Sequence, residues 1–227
     1  MQRYFISGIG TDIGKTYVTT QLLRRLCAQG IRATSFKLVQ TGMNGGIAPD
    51  IIAHREGSGQ AITALDEEGM SCGAAFPYPA SPHLAAALVG QAVDGEVLRQ
   101  RFDDFCQRSG ADVVLCEGAG GIFVPLAETM LTADWVAAQG LPLVLVCNAM
   151  LGSIHHTIAT LEALAARSML PELLIYNPYP QGEPLIMRDS ERFLRDYVVR
   201  VYPQVAFWAL DDSAALPPAF CYNSSFL

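Results

Sequence analysis

A chain of 227 residues, 51% hydrophobic and 16% charged, is long enough for one large domain and too apolar to remain disordered. Its formal net charge of −7 argues against a dedicated nucleic-acid binder, which would carry a basic field. No apolar run reaches the roughly 20 residues of a membrane span, and the stretch Tyr4–Ile6 is too short for a signal peptide. Six widely spaced cysteines without a CxxC pair fit reduced thiols, so a cytoplasmic globular protein is expected.

In chain order, Arg3–Ser7 reads as a strand, followed by a glycine-rich turn and a helix to about Gln29. Val18, Leu22 and Leu26 supply that helix with one apolar face, and Gly30 stops it. Ala33–Val39 is a second strand, and a further helix starts at Asp50. The stretch Gly57–Pro82, rich in Gly, Ser and Pro, reads as surface excursions. Val93–Arg108 is helical by pattern. Three short apolar runs then follow at Asp112–Cys116, Leu141–Cys147 and Leu173–Tyr176, as buried parallel strands require. Helices fit at Leu131–Gln139, Ser153–Arg167 and Met187–Val201. The alternation predicts a single α/β domain over residues 1–227, with a mostly parallel sheet flanked by helices.

The first turn reads Gly8-Ile9-Gly10-Thr11-Asp12-Ile13-Gly14-Lys15-Thr16, the strand–loop–helix of a P-loop NTPase fold. Glycines let successive backbone N–H groups converge on phosphate oxygens, and the helix adds its positive end. Lys15 reaches the β/γ-phosphates and Thr16 offers a hydroxyl to Mg²⁺. Ile9 stands where the usual spacing has glycine, so the loop is a lengthened variant. An acidic strand end completes a nucleotide site, and Glu117 supplies it before Gly118-Ala119-Gly120-Gly121. Asp50, after Pro49, reads either as a helix cap or as a second metal carboxylate.

Lysine usage is uneven: only Lys15 and Lys37 occur, against thirteen arginines. Lys37 ends the second strand on the same sheet edge as the loop. A compact point charge there can neutralise the charge that develops in phosphoryl transfer. Thr41, four residues on, can hydrogen-bond the same substrate. His155-His156 lacks zinc spacing and reads as a polar helix edge. His83 reads as a turn or packing residue.

With these pieces assembled, the chain resembles dethiobiotin synthetase from Tyr4 to about Asn177. The carriers are the long loop ending Asp12-Ile13-Gly14-Lys15-Thr16, Lys37-x-x-x-Thr41-Gly42, Asp50, Ser81-Pro82-His83, Glu117-Gly118-Ala119-Gly120-Gly121, Ala133-Asp134-Trp135-Val136 and Leu151-Gly152. The resemblance implies an ATP-dependent ligase acting on 7,8-diaminononanoate and carbon dioxide, with Mg²⁺ as cofactor. It implies that Lys37, Lys15 and Thr11 act on the reacting carbamate and phosphates. ATP would be bound by Asp12, Ile13, Gly14, Lys15, Thr16, Tyr17, Asp50, Glu117, Gly118, Ala119 and Gly120, with Asn177 reading the adenine edge. Thr16, Asp50 and Glu117 match the metal positions, and Thr41 and Lys37 the substrate side.

The resemblance also implies a homodimer in which Leu151-Gly152-Ser153, opening a helix, faces the partner's site. Gly152 would let the substrate's carboxylate approach the helix N–H groups, and Ser153 would cap the helix. The alternatives are a partition-type switch ATPase, although Gly10 stands where that class carries an extra lysine, or another P-loop metabolite ligase. An Asn-Lys-x-Asp GTPase signal is absent.

Overall fold

Gln2–Gly8 forms strand β1, buried from Tyr4 onward, so it lies inside the sheet rather than at its edge. Tyr4 and Ile6 pack into one apolar cluster and Phe5 into another, which places a covering layer on each face. The computed structural model describes residues 1–179, 182–211, 213 and 215–220. In chain order it continues with α1 (Lys15–Ala28), β2 (Ala33–Thr41), α2 (Pro49–Ser58), α3 (Ala64–Glu67), β3 (Cys72–Phe76), α4 (Pro82–Ala87), α5 (Gly95–Ser109) and β4 (Val113–Gly121). A small antiparallel pair, β5 (Pro125–Ala127) and β6 (Met130–Leu131), precedes α6 (Thr132–Gln139) and β7 (Leu143–Asn148). Then come α7 (Ser153–Ala166), β8 (Leu173–Asn177), α8 (Pro184–Val201), β9 (Ala206–Ala209) and a 3₁₀ turn at Pro218–Phe220.

The seven main strands lie in the order β3-β2-β4-β1-β7-β8-β9, and every neighbouring pair is parallel. Each predicted strand and helix is present with ends shifted by a few residues. Helix α2 begins at Pro49, whose missing N–H costs nothing at the first helical position. No described helix is long and apolar enough to cross a membrane. The five described cysteines are free, and four of them are buried.

Two parts of the sheet depart from expectation. Gly57–Pro82 is not merely a surface excursion, because Cys72–Phe76 pairs with β2 as an edge strand. Its sequence, Cys-Gly-Ala-Ala-Phe, lacks β-branched residues, and it is the ladder to β2 that holds it extended. At the other edge, four residues form β9 against β8. Arg25 of α1, 2% exposed, covers that flank: its guanidinium donates to the Ser213 carbonyl and lies over the Trp208 ring.

Candidate active site

The loop between β1 and α1 owes its shape to residues that tolerate left-handed backbone. Gly14 caps α1 with φ 87°, and a Cβ there would lie 2.2 Å from the Asn177 amide nitrogen. At Gly8 a Cβ would collide with the Ile13 side chain at 1.9 Å, so the loop closes tightly on β1. Lys15 opens the helix and folds back, donating to the Gly10 carbonyl at 3.1 Å. Burial pulls its pKa down to about 8; Glu117 opposes that shift and nearby Lys37 adds to it.

Lys37 and Glu117 are direct partners in the β2–β4 ladder, so both side chains emerge on the same face of the sheet. Lys37 Nζ donates to Glu117 Oε1 at 2.9 Å and to the Gly118 carbonyl at 3.1 Å, and pairs with Asp50. Burial works against the ammonium, but the Glu117 and Asp50 carboxylates outweigh it and hold Lys37 protonated above the ordinary lysine range. Glu117 is fully buried. It accepts from Thr16 Oγ1 at 3.1 Å and Thr19 Oγ1 at 2.7 Å, two hydroxyls one turn apart on α1. Burial would raise its pKa, yet Lys37 and His54 beside it hold the carboxyl well below the usual range.

Asp50 does not cap α2. Ala48 occupies the cap position, and Asp50 in the first turn faces Lys37 instead. Thr11, Asp12, Gly14, Lys15, Thr16, Lys37, Thr41, Asp50, Glu117, Ala119 and Gly120 line one cavity of about 500 Å³ at the carboxyl ends of the strands. In open α/β sheets that is where ligands bind. Among its lining groups, the Asp50 and Glu117 carboxylates and the Thr16 hydroxyl are hard oxygen donors that could hold Mg²⁺ carried in with phosphates. Among the described residues no three His, Cys, Asp or Glu side chains form a metal cage.

Three of the expected site residues have surroundings that the sequence does not show. Asn177 is fully buried and its amide is spoken for: Nδ2 donates to the Ile13 and Tyr179 carbonyls, both at 3.0 Å, and Oδ1 accepts from Tyr179 N–H at 3.1 Å. As placed, it ties the phosphate loop to the end of β8. Ser153 does not cap α7. Gly152 is the cap residue with φ 90°, and the buried Ser153 hydroxyl accepts from the Asn148 N–H at 3.3 Å. Ile13 packs into the apolar cluster under α1, which leaves only its backbone for a nucleotide.

Ser153 lies outside the first cavity. It borders a second cleft of about 390 Å³ with Gly10, Thr11, Asp12, Met150, Leu151 and His156, on the other side of the phosphate loop. Gly152 is exposed at its neighbouring loop. Tyr17 is partly exposed, edge-on to Tyr179 at 5.2 Å. His83 lies in α4, and the His155–His156 pair is exposed on α7. His54 carries no motif in the sequence; its one local signal is that it stands four residues after Asp50 on the same helix. Its ring nitrogen lies 2.9 Å from Glu117 Oε2.

A family model described as an AAA domain matches residues 2–198. The chain is 37% identical over 208 residues to the ATP-dependent dethiobiotin synthetase BioD 2 of Pasteurella multocida, covering 92% of this chain and 96% of that one. It is 39% identical to the protein of the same name from Haemophilus ducreyi, over 91% and 97% of the two chains. To the ATP-dependent dethiobiotin synthetase BioD of Chlorobaculum tepidum it is 40% identical, over 83% and 78%. Among solved structures, the MinC:MinD cell division protein complex of Aquifex aeolicus aligns with a TM-score of 0.51 at 14% identity, covering 93% and 83%. The pNOB8 ParA bound to nonspecific DNA gives 0.51 at 12%, covering 89% and 78%. Those two likenesses establish the P-loop fold alone. The sequence relatives reach further, through nearly the whole length of both partners, and the chain belongs to the dethiobiotin synthetase family.

Proposed function

We propose that the chain closes the cyclic urea of dethiobiotin from 7,8-diaminononanoate, carbon dioxide and ATP, a step of biotin biosynthesis. One observation carries the reading: Lys37, held protonated by Glu117 and Asp50, shares the floor of one cavity with the phosphate loop. A substrate amine adds to carbon dioxide and loses a proton, giving a carbamate. The carbamate oxygen attacks the γ-phosphorus and ADP leaves, giving a carbamic–phosphoric anhydride. The neighbouring amine then attacks the carbonyl carbon, loses its proton and expels inorganic phosphate.

The protein's part is alignment and charge. Lys37 holds the carbamate oxygen, Lys15 and the loop N–H groups hold the phosphates, and Thr11 and Thr41 orient the reacting ends. Thr16, Asp50 and Glu117 would hold Mg²⁺, which neutralises phosphate oxygens when bound. Substrate-stimulated ATP hydrolysis tests the whole reading: diaminononanoate with bicarbonate should raise turnover. Stimulation by DNA or a protein partner in its place would favour a switch ATPase. Asp50→Asn should raise the Mg²⁺ concentration needed for half-maximal turnover. An unchanged requirement would leave Asp50 as a partner of Lys37 and nothing more.

The reading includes a cytoplasmic homodimer that shares its sites. Leu151 is 85% exposed and Met150 57% exposed beside the second cleft, an apolar rim suited to a second copy. The test pairs Lys37→Ala with Leu151→Asp, since the buried Ser153 is a poor place for a charge. If sites are shared, the two inactive variants refolded together should regain about a quarter of wild-type activity, because random pairing makes half the dimers hybrids with one intact site. Hybrids with no activity would mean that each chain builds its site alone.

A further inference from the structure

Behind Glu117 runs a chain of polar groups that the phosphate chemistry does not use. His54 Nε2 lies 2.9 Å from Glu117 Oε2, and His54 Nδ1 lies 3.0 Å from Ser35 Oγ. Arg55 Nη1 donates to the same Ser35 oxygen at 3.0 Å. Its Nε and Nη2 donate to the two Asp66 oxygens at 3.0 and 2.9 Å. All five side chains are at most 2% exposed. Asp66 is also fixed by Thr63, whose N–H and hydroxyl both reach Oδ2 at 2.9 Å. The chain therefore begins on a rigid anchor and ends on the site.

The direction of the hydrogen bonds follows from the two ends of the chain. Glu117, held ionised, can only accept, so the ring nitrogen facing Oε2 carries a hydrogen. Arg55 can only donate, so Ser35 Oγ accepts from it and still has its own hydrogen to give to His54 Nδ1. Oε2 then receives two donors, His54 and Thr19, on the side away from the cavity, while Oε1 faces Thr16 and Lys37.

We propose that His54 is a positioning residue for the reaction: as the Nε2–H tautomer, set by Ser35 and the Arg55–Asp66 pair, it locks Oε2 of Glu117 so that Oε1 is presented to the phosphate side. The proposal rests on the reading of Glu117 as a metal-site carboxylate. Partners that orient a metal-binding group typically change metal affinity or activity about 10–100-fold when removed. A purely structural histidine would change thermal stability and leave the Mg²⁺ requirement alone.

Nitrogen-15 NMR of the wild-type protein reads the tautomer directly. The resonances of His54 should show a protonated Nε2 and a bare Nδ1, assigned by their loss in His54→Leu. A hydrogen on Nδ1 instead would overturn the proposal. In turnover assays His54→Leu, similar in volume, should raise the half-saturating Mg²⁺ about tenfold. His54→Gln, whose amide can reach Oε2, should recover most of that change. If Glu117→Gln shifts the Mg²⁺ requirement and His54→Leu does not, the positioning role falls while the metal-site reading stands. If Glu117→Gln shifts nothing, that reading of Glu117 fails and takes the positioning role with it.

Discussion

Lys37→Ala should lower kcat by roughly 10²–10³, the usual effect of losing one electrostatic donor aimed at a transition state. ATP affinity should change little, because Lys15 and the loop backbone remain to hold the phosphates. The sequence by itself suggests little change in stability for this variant, as for a lysine at a strand end. The structure argues otherwise. Lys37 is 4% exposed, and its ammonium holds Glu117, Asp50 and the Gly118 carbonyl together. Removing one partner of a buried ion pair costs about 3–5 kcal/mol, so the melting temperature should fall as well.

Activity is therefore compared well below the melting transition, with folding checked by circular dichroism. Turnover within tenfold of wild type would remove Lys37 from the reaction. Lys37→Arg should also be poor, since a planar fork cannot sit where a point charge meets three acceptors. The folded pKa of Lys37 is raised above the ordinary lysine value. Its contribution to stability is accordingly complete below the unfolded pKa and is lost only as pH climbs through the higher folded one. Moderately alkaline buffers should not loosen the site.

Glu117→Ala should be the most destabilising single change at the site, by about 3–5 kcal/mol. Glu117 is fully buried and accepts four hydrogen bonds, from Thr16, Thr19, Lys37 and His54. Lys37 would keep Asp50, but Thr19 and His54 would lose their acceptor and a cavity would open beside them. For a chain of this size the loss corresponds to a fall in melting temperature on the order of 10 °C. The pH dependence follows from the depressed folded pKa. Stability from this carboxylate is present above its unfolded value near 4.5 and is lost as pH falls toward the lower folded value. The gap between wild type and Glu117→Ala in denaturant melts should be constant near neutrality and narrow below about pH 4.5. A gap that stayed the same down to strong acid would mean that packing, not charge, accounts for the loss.

Much of this site is legible in local sequence. A P-loop announces itself because phosphate binding needs glycines and a lysine at one strand–helix junction. Glu117 and Lys37 stand out because short apolar strands ending in charge place those charges at the sheet's carboxyl edge. The buried runs that became β1, β4, β7 and β8 are readable for the same reason: a strand covered on both faces must be continuously apolar. Their wholly parallel pairing and order are long-range matters.

Tertiary structure alone decided the rest. Lys37 meets Glu117 because β2 and β4 pair in one register, and register depends on contacts eighty residues apart that no local pattern encodes. The strand Cys72–Phe76 exists because β2 offers it a ladder, against its own weak propensity. Ser153 looks like a helix cap in sequence, yet Gly152 takes that place and the hydroxyl turns inward to Asn148. Asn177 meets the phosphate loop only because β8 ends beside it, where its amide binds the Ile13 and Tyr179 carbonyls. His54 resembles any core histidine until α2 packs against β2 and aims its ring at Glu117. Sequence determines which groups a chain carries and the period on which they repeat. Which of them meet is settled by packing between distant segments, where one side chain's free donor becomes another's partner.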